Sequence, residues 1–165
     1  MGVESVSEYI SIKTQENSED VRDKIVHNLP SWLKLSRVYD VKNVNVSAFA
    51  NLAKFEIGFD DYKTLKGAIK DFMEREKILI DVRLHGQNKV MDVKDRIQSY
   101  ELLEDRLVVL AGVDKQSVRI DQFCKKLLEQ IGRKGASFQV VKTGLYFKDD
   151  QGQVINVDQI LTKMQ

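Results

Sequence analysis

Two glycines enclosing two cations, Gly132-Arg133-Lys134-Gly135, are the most pointed chemistry in this chain. Glycine lets a backbone approach a phosphate closely, and the guanidinium and ammonium between the glycines would neutralise its charge. From Phe123 to Lys148 six cations (Lys125, Lys126, Arg133, Lys134, Lys142 and Lys148) stand against Glu129 alone. Lys126 before the loop and Lys142 after it extend the candidate nucleic-acid contacts. A plainer reading makes Gly132 the glycine that ends a helix, with Arg133 and Lys134 at the negative end of its dipole. A second constellation is Asp81 with Asp92-Val93-Lys94. A hairpin would set one acid beside another acid and a lysine, a group able to hold a divalent metal and aim a lysine at an attacked phosphate.

The first constellation resembles the GxxG loop of KH nucleic-acid-binding domains, which clamps backbone nucleotides. Phe138 and Val141 stand where that family places apolar helix positions. Leu145 through Ile155 is similar to its closing hairpin, and a terminal helix over 158–164 fits. The resemblance covers residues 107–165 and implies an RNA or DNA partner, with Gly132, Arg133, Lys134, Gly135, Lys126 and Lys142 as contacts. Only seven residues separate Gly135 from Thr143, short for the family's helix after the loop. The second constellation resembles the acidic core of PD-(D/E)xK nucleases, which Glu74 or Glu76 would complete. Residues 78–112 look like part of a ubiquitin-type β-grasp, which implies a protein partner and no chemistry.

The remaining reactive side chains add no catalytic set. His27 lies near the end of a helix, where it answers the dipole. His85 and Asp81 are four apart on a strand, roughly 13 Å from each other, and cannot form a dyad. The one cysteine, Cys124, falls on an apolar stripe and reads as core. No phosphate-binding loop, nucleophile elbow or Cys/His cluster occurs, so no catalytic residue, metal or cofactor is expected.

The elements that must position these residues follow from periodicity. Residues 7–13 alternate as a strand. Asn17 offers a cap to a helix carrying Val21, Ile25, Leu29, Trp32 and Leu33, broken near Asn28 by Pro30. Strands are expected over 38–47 and 52–59, then a helix capped by Asp60 or Asp61 with the stripe Tyr62, Leu65, Ile69, Phe72 and Met73. A strand through Ile78–Leu84, a turn at His85-Gly86-Gln87-Asn88 and a return strand from Val90 come next. A short helix with Ile97, Tyr100 and Leu103 leads to the apolar strand Leu107–Ala111. Ile120, Phe123, Cys124, Leu127, Leu128 and Ile131 then form one continuous helical stripe, in a helix from about Ser117 to Ile131. Residues 138–148 and 153–157 read as a hairpin, and 158–164 as a closing helix.

The fold expected is α+β, a mixed or mainly antiparallel sheet arrangement with about five helices packed on one face. The 165 residues make either one domain or two, 1–91 and 92–165. Basic residues number 26 and acidic residues 25, so any attraction to a polyanion must be local. No stretch is apolar enough to cross a membrane, and no membrane partner is expected. A single cysteine and no secretory leader point to the cytoplasm. The expected function is non-enzymatic nucleic-acid binding through the basic glycine loop. The alternatives left open are a protein-interaction, assembly or regulatory role, and a metal-dependent nuclease using Asp81, Asp92 and Lys94.

Overall fold

The computed structural model describes residues 4–42, 44–84, 87–113 and 118–165. Its centre is β2, Leu52–Phe59, in which Ala53, Phe55, Ile57 and Phe59 are buried on one face while Lys54, Glu56 and Gly58 turn to the other. This is the alternation of an antiparallel strand with one face on the core. Its neighbours are β6, Leu107–Gly112, and β7, Phe138–Lys148, both antiparallel to it. Beyond β6 lies β5, Ile97–Leu102, and beyond β7 lies β1, Glu4–Ser5, in parallel. The hairpin partner β8, Val154–Asn156, pairs with the far end of β7. The order is therefore β1-β7-β2-β6-β5, a mixed, mainly antiparallel sheet.

Two helices cover the buried face. In α3, Tyr62–Met73, the buried positions are Tyr62, Leu65, Ile69, Phe72 and Met73; in α4, Ile120–Gln130, they are Ile120, Phe123, Cys124, Leu127 and Leu128. Phe72 meets Phe123 edge to face with ring centroids 5.8 Å apart. Burying a side chain of this size stabilises by about 1.5–3 kcal/mol. The succession β2-α3-β5-β6-α4-β7 with order β7-β2-β6-β5 is the split βαβ arrangement. Between α3 and β5 the chain inserts a separate hairpin, β3 (Leu79–Leu84) with β4 (Gln87–Asp92), followed by a 3-10 turn at Lys94–Arg96. The inner residues of β3, Ile80 and Val82, join the same core.

A second, smaller cluster gathers Val46, Val157 and Leu161 with Tyr9, Tyr39, Val41, Val44, Phe49 and Leu145. It joins α2, Val46–Phe49, to the closing helix α5, Val157–Met164. The first helix, α1 (Ser18–Asn28), has no buried residue, so it does not share the packing expected of all five helices.

The α+β class stands, and several elements differ from expectation. Residues 7–13 pair with no strand among the described residues; the chain leaves the sheet after Ser5, apart from the Val6 N–H donated to the Lys142 carbonyl at 3.0 Å. Residues 38–45, where described, form no strand and include a turn at Lys42, and Val46–Phe49 is helical. Ile97 and Tyr100 belong to a strand, not a helix, and Leu103 follows its end. A bulge between Ile97 and Ser99 brings Ile97 and Tyr100 onto the inner face three residues apart, which imitates helical spacing. The β-grasp expected over 78–112 does not form, because β3 and β4 pair with each other while β5 and β6 belong to the main sheet. Asp61 precedes α3 but caps it with its carbonyl, not its side chain, from a left-handed backbone at φ 57°. Asn17 does cap α1, accepting the Asp20 N–H at 2.9 Å, and the helix stops before Pro30. His85, Gly86 and Ser117 lie outside the described residues. Because β2 sits between β6 and β7, the sheet draws strands from both sides of position 91/92.

Candidate functional site

The glycine loop is a helix terminus. After α4 the Gly132 N–H returns to the Glu129 carbonyl at 3.2 Å, and the Arg133 N–H to the Leu128 carbonyl at 2.7 Å. With Gly132 at φ 75° this is the Schellman closure, in which a left-handed residue turns the last amides back onto orphan carbonyls. Gly135, at φ 89°, makes the next turn, and the chain enters β7 at Phe138. The helix that a KH loop requires at this point is absent. Val140 and Val141 suit a pleated strand, and Phe138 and Val140 pair with Phe59 and Ile57 across the core face.

Two of the cations around the loop face carboxylates. Lys134 lies 3.8 Å from Glu129, and Lys126 lies 3.5 Å from Glu129 and 3.6 Å from Asp81. Lys142 is well away in register, opposite Phe55 on the inner face of β7, where it pairs with Glu8 at 2.6 Å. Five of the six predicted contacts therefore adjoin one another and one does not. Gly132, Arg133, Lys134 and Gly135 share a loop, Lys126 meets Lys134 at Glu129 and reaches the β3–β4 hairpin through Asp81, and Lys142 anchors the N-terminal segment.

The acidic constellation is likewise divided among structural tasks. Asp92 stands opposite Leu79, and Asp81 opposite Val90. Asp92 Oδ1 accepts the N–H groups of Ile78 and Lys94, each at 3.0 Å, and these bonds, that of Lys94 first, hold its carboxyl below the usual carboxylate range. The Lys94 ammonium donates to the carbonyl of Met73, the last residue of α3. Asp81 faces Lys126, and Glu74 lies 3.7 Å from Lys70 on its own helix. Among the described residues no group of three or more His, Cys, Asp or Glu side chains could hold a metal ion. Cys124 is fully buried, and burial pushes its thiol far up, which leaves it an inert core residue.

Local spacing offers no sign of the polar contact that ties the two ends of the chain together. Asp158 Oδ1 accepts the hydroxyls of both Tyr9, at 2.9 Å, and Tyr39, at 2.7 Å. The Asp158 N–H is itself held by the Asn156 side chain at 2.8 Å, a cap on α5. Burial and the bond to Asp158 raise Tyr9 to about 12. Partners 149 and 119 residues away leave no periodic trace.

Six of the eleven large apolar side chains exposed among the described residues lie in the N-terminal stretch. Ile10 is 81% exposed and Trp32, the single tryptophan, 80%, with Val6, Ile12, Val26 and Leu33 also open to solvent. Residues 1–125 match the family model described as "Uncharacterized protein conserved in bacteria (DUF2344)". The chain belongs to this family. No curated protein and no solved structure matches it. The part of the chain that answers to this DUF2344 family contains the exposed N-terminal stretch, β2, α3, the inserted hairpin, β5 and β6. It ends inside α4, ahead of Lys126, the glycine loop and β7. No helix among the described residues is long and apolar enough to cross a membrane.

Proposed function

We propose that this protein is a non-enzymatic binding protein that recognises another protein through the N-terminal surface bearing Ile10, Ile12, Val26, Trp32 and Leu33. The observation that carries the reading is α1, a regular helix with no buried residue, between apolar side chains left in solvent. Large apolar side chains left in solvent cost solubility, and several of them within one segment mark a contact site. The charges favour a protein over a polyanion. Between Ser7 and Arg37 five acidic residues balance five basic ones, where a nucleic acid or an anionic membrane would call for a cationic excess. The stretch also lies within the residues that match the family. A cytoplasmic location belongs to the same proposal.

The experiment sets this surface against the glycine loop. A tagged chain is cross-linked in bacterial lysate, with a low-salt gel shift against single-stranded and duplex nucleic acid in parallel. Ile10→Ser with Trp32→Ser is expected to abolish capture of a protein partner and leave the thermal midpoint unchanged. Arg133→Asp with Lys134→Asp is expected to leave capture intact. A gel shift abolished by the loop pair, with capture indifferent to the apolar pair, would restore the nucleic-acid reading and overturn this one.

A further inference from the structure

We infer that residues 4–9 are a strap, held shut on β7 and α5 by a polar clasp and able to open while the sheet and its two covering helices stay folded. The strap lies along the edge of β7, Glu4 beside Val141 and Ser5 beside Lys142, and makes one further backbone bond from Val6 to Lys142. What fastens it is polar. Glu8 reaches the largely buried Lys142 at 2.6 Å, and the Tyr9 hydroxyl shares Asp158 Oδ1 with Tyr39. Apolar burial in the strap is confined to the half-buried ring of Tyr9 in the second cluster, since Val6 is 72% exposed and the following Ile10 still more so. A segment with few ladder bonds and little buried apolar surface opens at far lower free energy than the core does.

The part of β7 beside the strap is irregular. Pairing of β2 with β7 skips Thr143, because Phe55 opposes Lys142 and Lys54 opposes Gly144. The buried Thr143 Oγ1 has no hydrogen-bond partner, one residue from the clasp lysine. A lifted strap would leave the main chain at Val141 and Lys142 as a free strand edge, able to pair with another chain. Asp158 is the centre of the device, because one carboxylate oxygen holds both the strap, through Tyr9, and the 36–45 segment, through Tyr39. This rests on the clasp contacts and is independent of what the N-terminal surface binds.

Amide hydrogen exchange on the full chain, read by mass spectrometry, tests it. Asp158→Ala is expected to speed exchange across residues 4–9 about tenfold, the effect of losing one hydrogen bond to a charged group, with β2 and β6 unchanged. Asp158→Asn keeps an oxygen acceptor without the charge and is expected to fall between the parent and Asp158→Ala. If Asp158→Ala loosens the whole fold, Tyr9→Phe, which deletes only a hydroxyl, is expected to reproduce the local effect. Unchanged strap exchange in both variants, or strap and core exchanging together in Tyr9→Phe, overturns the inference.

Discussion

At the scale of single residues, Gly132 and Asp92 show how a motif that suggests chemistry can be used by the fold. At φ 75° Gly132 sits where an L side chain is disfavoured, and a Cβ there would touch nothing within 4 Å. The cost of Gly132→Ala is therefore conformational alone, about 1–2 kcal/mol, read as a lowered urea midpoint with an unchanged slope. Asp92 makes a pH-dependent contribution. Its carboxyl is depressed in the folded state by the N–H groups of Lys94 and Ile78, so the unfolded chain takes up the proton first. The stabilisation is complete above the ordinary carboxylate range and disappears as pH falls through the lower folded value. Asp92→Asn keeps an acceptor for both amides and should remove that part of the acid dependence, seen in urea midpoints measured from neutral pH down to about pH 3. The helix-ending role of Gly132 was legible because a C-terminal glycine follows an apolar stripe. The capping role of Asp92 was not, because its partner Ile78 lies on the far side of a hairpin.

Elements with a strong local period were legible, and those defined by a distant partner were not. The stripes of α3 and α4 repeat every turn, so their buried faces could be named residue by residue. The bulge in β5 broke the period of two that would have revealed a strand, and β1 depends on β7, more than a hundred residues away in sequence. The alternation of residues 7–13 is real in the sequence, yet nothing among the described residues pairs with it. Contrasting substitutions test this division of the molecule. Phe123→Ala removes a fully buried ring from its contact with Phe72 and should cost about 3–5 kcal/mol. Trp32→Ala, at an exposed position in the N-terminal stretch, should move the urea-derived stability by no more than about 0.5 kcal/mol. A large loss from Trp32→Ala would mean that the stretch packs against the body of the protein.

For the molecule as a whole, the decisive fact is that β2 lies between strands contributed by the other half of the chain. Its antiparallel partners β6 and β7 both come after residue 92, and the cluster of β2, α3 and β3 is closed by Phe123, Leu127 and Val140 from the same half. A fragment spanning 1–91 would expose Ala53, Phe55, Ile57 and Phe59 beside two unpaired edges, and a fragment spanning 92–165 would hold β6 and β7 with the strand between them missing. Neither can bury enough apolar surface to offset the entropy of ordering its chain. Each alone should therefore lack near-ultraviolet circular dichroism and bind a hydrophobic dye, while the intact chain unfolds in urea as one transition by every core probe. The strap is the exception this architecture allows. Its amides should exchange below the global transition, because its anchors are the Glu8–Lys142 pair, the Tyr9 hydroxyl on Asp158 and a few backbone bonds, while the sheet and its two covering helices unfold as one unit. A stable, cooperatively folded 1–91 fragment would refute the shared sheet, because β2 would then need partners from within its own half.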